Sequence, residues 1–246
     1  MPNQTIVYVV LVLFVATLIR STLGFGEGLV AVPLLALRIP ITVAAPLVAM
    51  VSVLVAAVIV VQDWRKIELR SAGWLIIFSV FGIPLGLLLL TQVSDHVVKM
   101  LLGLVILSFS IYSLAAKSRL RLQNDHRLWL LGAGLCSGIL GGAYGMNGPP
   151  LAVYGSLRRW SPQHFRATLQ GYFLPASLLG LLGYASFGLW GAVVTRCFLY
   201  SLPGLFVAIL IGRAINHRLR GDGFFRSVYV GLIVIAGTLL VQAFSR

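Results

Sequence analysis

GGAYGMNGPP, Gly141 to Pro150, interrupts an apolar run that extends from Arg127 to Leu157. At membrane depth there is no water to satisfy freed N–H and C=O groups, so irregular backbone survives there only when buried in protein or lining a polar cavity. Here that cavity is the candidate binding site. Pro149 and Pro150 suit the first turn of a new helix, because proline presets φ and lacks the N–H that a helix start leaves orphaned. A half-helix therefore begins inside the membrane. Its N-terminus, with free N–H donors and partial positive charge, favours an anion. GFGEG, Gly24 to Gly28, breaks the apolar run from Thr5 to Leu37 in the corresponding place of the first half.

Hydrophobic residues make up 59% of the 246 and charged residues 10%, with a mean hydropathy of +0.98. That balance excludes an ordinary soluble domain and predicts an all-α polytopic membrane protein. Apolar runs long enough to span a bilayer, about 20 residues, lie at 41–61, 71–90, 97–115, 167–187, 191–212 and 224–243. Most of the basic residues behind the net charge of +13 lie in short loops between spans, where they set topology, so nucleic acid is not an expected partner. No Lys or Arg precedes Arg20, so the n-region of a cleaved signal peptide is missing and the first run is expected to stay. Cys136 and Cys197, both within apolar runs, read as small buried core residues. There is no HExxH, no GxSxG, no pair of intramembrane carboxylates and no Cys/His metal spacing. Neither an enzyme nor a cofactor or metal is expected.

Sliding the chain against itself by 121 residues aligns Gly24 with Gly145, Gly28 with Pro149, Ala31 with Ala152, Val32 with Val153 and Arg38 with Arg159. Each half reads as an interrupted run followed by three uninterrupted spans, a layout found in transporters whose broken helices mark the site. The chain is thus one membrane domain, 1–246, with repeats at about 1–118 and 124–246. Loop charges then choose a topology. If each interrupted run crosses once, the Lys and Arg of the loops at 62–70 and 116–127 oppose those at 158–166 and 213–226, seven against seven. If each is a re-entrant hairpin, all fourteen share one side against Arg38, Lys99 and Arg246, as the positive-inside rule demands. Three full spans per half make the halves inverted, bring the two hairpin tips together near the midplane, and place both termini outside. Trp64, Trp74, Trp129 and Trp160 flank the basic loops, with Trp190 at the other face, as interfacial aromatics would.

Arg20 and Glu27 are charges within the first interrupted run, and intramembrane charges pair with one another or face a pathway. Either they form an ion pair that holds the tip, or Arg20 binds the anion and Glu27 carries a coupling proton. Asn147 offers an amide donor and acceptor, while Gly24, Gly26, Gly28, Gly145 and Gly148 allow close backbone approach to a ligand. Met146 and Pro149 complete the second tip. Thr168 and Gln170, with Ser177, follow on the next span as further candidates. Gly132, Gly134, Gly138 and Gly141 read as close helix packing, and Pro84 with Gly82 and Gly86 as a kink. Arg196 reads as an interfacial residue, and His96, His126, His164 and His217 as ordinary loop histidines.

GFGEGLVAVPLLAL, Gly24 to Leu37, and GGAYGMNGPPLAVYGSL, Gly141 to Leu157, resemble the paired glycine-rich signatures of the TauE/SafE family of anion transporters, sulfite and organosulfonate exporters among them. The resemblance covers essentially the whole chain. The family's signatures are usually richer in glycine, and Glu27 and Asn147 are departures from them. The resemblance implies transport of a small sulfur oxyanion or a sulfonate, such as sulfite, sulfoacetate or a taurine-derived sulfonate, across a bacterial plasma or inner membrane. From the residues themselves a secondary transporter, an anion-selective pore and a non-transporting membrane assembly protein all stay open. The partners expected are a small anion, the bilayer and a coupling proton or cation. The oligomeric state is open, a homodimer included.

Overall fold

The first helix ends where Gly24 and Gly26 take φ of +88° and +99°, and a later one ends at Gly145, φ +64°. Left-handed glycine closes a helix because a side chain there would strike its own backbone. Both breaks close alike, Gly24 N–H donating to the Arg20 carbonyl at 2.6 Å and Gly145 N–H to the Gly141 carbonyl at 2.8 Å. The computed structural model describes residues 3–63, 67–115, 127–158, 162–216, 230, 232–238, 240 and 241. Its helices are α1 (Asn3–Leu23), α2 (Glu27–Ala36), α3 (Ile41–Asp63), α4 (Leu69–Gln92), α5 (Asp95–Ala115), α6 (Arg127–Tyr144), α7 (Gly148–Leu157), α8 (Pro162–Ser186) and α9 (Ala192–Asn216). Residues 232–238 are helical as well, and no strand occurs among the described residues. Pro149 and Pro150 stand in the first turn of α7, as expected.

Five of these helices, α1, α3, α4, α5 and α9, are long and apolar enough to cross a membrane. α8, expected as a span at 167–187, starts earlier and is less apolar, because Thr168, Gln170 and Ser177 are buried within it. α1 is longer than half a hairpin needs. Its 21 residues reach about 31 Å, close to the whole hydrocarbon thickness. The chain nevertheless returns beside it. The Tyr8 hydroxyl donates to the Leu34 carbonyl at 2.6 Å, and the Arg38 guanidinium stacks 4.4 Å from the Tyr8 ring, so α2 ends alongside the first third of α1.

α3 and α8 pack against each other at the centre, α4 packs on α6, and α9 packs on α1. Glycine makes the α4–α6 seam: a Cβ would sit 2.3 Å from the Leu135 oxygen on Gly82, 2.1 Å from the Ile139 oxygen on Gly86 and 2.4 Å from the Ser79 oxygen on Gly138. Gly82 and Gly86, expected to kink the span with Pro84, are thus helix contacts, with Gly138 and Gly142 as partners, while Gly134 packs on Leu75 and Phe78. Gly132 faces open space, and Gly141 lies against the Asn147 side chain rather than a neighbouring helix. Cys197 is buried, but Cys136, expected in the core, lies on the exposed face of α6. Trp129 and Trp190 are exposed, and Trp74 stacks on Phe78 with the Arg127 guanidinium 5.6 Å from its ring. Arg196 and His96 are exposed too.

Much of the basic-loop reasoning falls on residues outside those described, including Trp64, Arg65, Lys66, Lys117, Arg119, Arg121, Arg159, Trp160, Arg218, Arg220 and Arg226. His126, His217 and half of the run at 224–243 also lie outside them, as does the side chain of His164.

Candidate functional site

The two breaks meet. A Cβ on Gly28, in the first turn of α2, would lie 3.0 Å from the Met146 Cα, and one on Gly148, where α7 starts, 3.8 Å from the Phe25 ring. Two half-helix N-termini therefore converge on one small cavity. It is lined by Arg20, Gly26, Glu27, Gly28, Leu29, Ser52, Gly145, Met146, Asn147, Gly148 and Phe173 and holds about 20 Å³, the room of one water. Ser52 is the middle residue of α3 and Phe173 lies next to the middle of α8.

Arg20 is the hub, and its side chain is almost wholly buried. Its Nη1 donates to a carboxylate oxygen of Glu27 and, at 2.8 Å, to the Ser52 hydroxyl. Nη2 donates to Gln170 Oε1 at 2.8 Å, and the guanidinium sits 5.0 Å from the centre of the Phe173 ring. Gln170 is itself anchored, its Nε2 donating to the Gly24 carbonyl at 2.6 Å. Glu27, equally buried, accepts a second bond from the Thr17 hydroxyl at 3.2 Å. Burying a lone charge is costly, and here each charge has both its counter-charge and neutral partners.

The second tip is held from two sides. Ser137 donates to the Asn147 carbonyl at 2.5 Å and accepts from the Tyr172 hydroxyl at 3.0 Å, while Tyr184 donates to the Gly141 carbonyl at 2.7 Å. Asn147 Nδ2 donates to Ser177 at 3.3 Å, and Ser177 donates to Ser52 at 3.0 Å. A continuous polar path thus runs from Asn147 through Ser177 and Ser52 to Arg20. Two buried atoms on it, Asn147 Oδ1 and Arg20 Nε, have no hydrogen-bond partner. Unpaired buried polar atoms are unusual; Arg20 Nε is a donor, whereas Asn147 Oδ1 is an acceptor packed against Gly141.

Of the residues singled out in the sequence, Arg20, Gly26, Glu27, Gly28, Gly145, Met146, Asn147 and Gly148 line the cavity, and Gln170 stands behind Arg20. Gly24 packs on Arg166 and supplies its carbonyl to Gln170. Pro149 starts α7 outside the cavity lining. Thr168 is not part of the lining and accepts the backbone N–H of Glu68 at 3.1 Å. Leu29, Ser52 and Phe173 were missed. Ser52 had a signal, a hydroxyl at mid-length of an otherwise apolar span, whereas a phenylalanine in an apolar run has none.

Comparison over the whole chain identifies a family. The family model described as Sulfite exporter TauE/SafE matches residues 9–240. A protein of Cupriavidus necator, described as a probable sulfite/organosulfonate exporter TauE, is 26% identical over 235 residues, covering 93% of this chain and 91% of its own. No solved structure matches. With a family model spanning nearly all of a chain rich in membrane-length helices, this multi-pass membrane protein belongs to the TauE/SafE sulfite exporter family.

Proposed function

We propose that the protein is a secondary transporter that moves a small sulfur anion, an organosulfonate or sulfite, by alternating access around the two tips. The observation that carries this reading is the convergence of two half-helix N-termini with Arg20 and Asn147 at mid-length of α3 and α8. Such a seat suits a compact group with several acceptor oxygens. The relative in Cupriavidus necator supports the substrate class by its description.

The halves are inverted repeats with re-entrant hairpins α1–α2 and α6–α7. Packing supports the register: Gly24 lies against Arg166, and 121 residues on, Gly145 lies against Ala45 read in the opposite half. Gly145 lies against Ala45 near the start of α3 and Gly141 accepts from Tyr184 near the end of α8, while Ser177 of α8 donates to Ser52 at mid-length of α3, so these counterpart helices run antiparallel. The protein sits in the cell membrane with both termini outside. Glu27 is the group that couples transport to a proton. A carrier is favoured over a pore because the cavity holds only about 20 Å³ and the tips touch. A screen in proteoliposomes with sulfite, sulfoacetate, taurine and thiosulfate under imposed pH gradients tests the reading. Saturable uptake of at least one sulfur anion is expected, and none for any of them would refute it.

A further inference from the structure

Glu27 opens α2, so its carboxylate lies where the half-helix N-terminus and Arg20 together attract negative charge. It takes one of the two Nη1 hydrogens, Ser52 the other. The guanidinium does not need Glu27 to stay in place, since Ser52, Gln170 and the Phe173 ring hold it and Gln170 is fixed by Gly24. What Glu27 adds is a negative charge. Both Nη1 hydrogens are committed, one to Glu27 and one to Ser52, so an anion gains the Glu27-facing hydrogen of Arg20 only by taking the carboxylate's place.

We propose that Glu27 is the seat's resident counter-ion. Its carboxylate holds on Arg20 the position that a substrate oxyanion takes, so the anion enters only when Glu27 is protonated and one proton travels with each singly charged anion. This rests on the transport reading above. A proton from the entry side adds to the carboxylate, the Arg20–Glu27 ion pair breaks, and a substrate oxygen accepts the freed Nη1 hydrogen. On release the steps reverse. The seat is neutral when empty, Arg20 balanced by ionised Glu27, and neutral when loaded, Arg20 balanced by the anion. A doubly charged anion would leave one buried charge uncompensated, which selects hydrogensulfite or a sulfonate over a dianion.

The groups facing Glu27 suit this exchange. α1 presents Arg20 and Thr17, α3 presents Ser52, α8 presents Phe173 with Gln170 behind Arg20, and the second tip presents Met146 and Asn147. Arg166 of α8 lies beside Gly24, on the far side of that tip. On α5, which also packs on α2, Asp95 and Lys99 pair with each other.

Methanesulfonate, singly charged across the accessible pH range, is the probe. For the purified full chain, its affinity should fall about tenfold per pH unit once Glu27 ionises, because binding then requires proton uptake. Glu27→Gln should bind it independently of pH, with the affinity that wild type reaches in acid. In proteoliposomes, methanesulfonate entry should acidify the lumen by one proton per anion and ignore an imposed potassium diffusion potential. Wild-type affinity that does not change with pH, a Glu27→Gln protein that keeps the wild-type slope, or uptake that carries net charge would overturn the proposal. Should Glu27→Gln fail to fold, the wild-type proton and charge fluxes decide. Failure of wild type to bind or move methanesulfonate or sulfite at any pH would remove the transport reading itself, and the proposal with it. Transport without an accompanying proton would remove only the counter-ion.

Discussion

Gly145 lies so close to Ala45 that a Cβ on it would sit 2.5 Å from the Ala45 carbonyl oxygen. Its backbone is also left-handed, φ +64°. Gly145→Ala should therefore cost more than the roughly 1–2 kcal/mol of a left-handed side chain, because backbone must also shift. Gly148→Ala meets nothing nearer than 3.8 Å and should fold with a melting temperature near wild type. Thermal unfolding of the two variants in detergent checks the contrast, and equal melting temperatures would contradict it.

The buried pair gives a second prediction. Arg20→Gln leaves Glu27 without its counter-charge and should lower stability by about 3–5 kcal/mol. Adding Glu27→Gln removes the orphaned charge, so the double variant should regain stability while its anion binding stays lost. If stability and transport return together, the pair is only a clasp for the tip and Arg20 is no ligand.

At the second tip, Asn147 lines the cavity with its Oδ1 packed on Gly141, while its Nδ2, the group able to donate to an anion, is tied to Ser177 by a long bond of 3.3 Å. Asn147→Ala should weaken sulfur-anion binding by about 1.5–3 kcal/mol, the worth of a hydrogen bond to a charged group. Titration calorimetry reads this directly. An unchanged dissociation constant in a folded variant takes Asn147 out of the site.

Much of this site was legible before any coordinates. Prolines after a glycine-broken apolar run announced α7, and the 121-residue register placed the other tip. Arg20 and Glu27 were conspicuous because a charge in such a run needs a reason. What the register could not reveal is side-chain direction. Thr168 and Gln170 stand two residues apart on α8, yet one holds the Glu68 backbone and the other holds Arg20. Cys136 was misplaced for a related reason: in a membrane helix the lipid-facing side is as apolar as the core, so hydrophobicity does not separate them. The same ambiguity hid the role of Gly82 and Gly86, whose contacts depend on α6 arriving alongside α4.

Topology is tested by accessibility. Single cysteines at Gln123 and Asn216, in a background without Cys136 and Cys197, should both resist an impermeant thiol reagent in intact cells, because the proposed topology puts all the basic loops on the cytoplasmic side. Labelling of one and not the other would contradict inverted hairpins.

The most direct measurement is counterflow in proteoliposomes. Labelled sulfite outside should enter faster when unlabelled sulfite is preloaded inside, because a carrier whose site faces one side at a time returns more readily when loaded. Entry that is indifferent to the internal anion would describe an open pore, and the alternating-access reading of the two tips would be wrong.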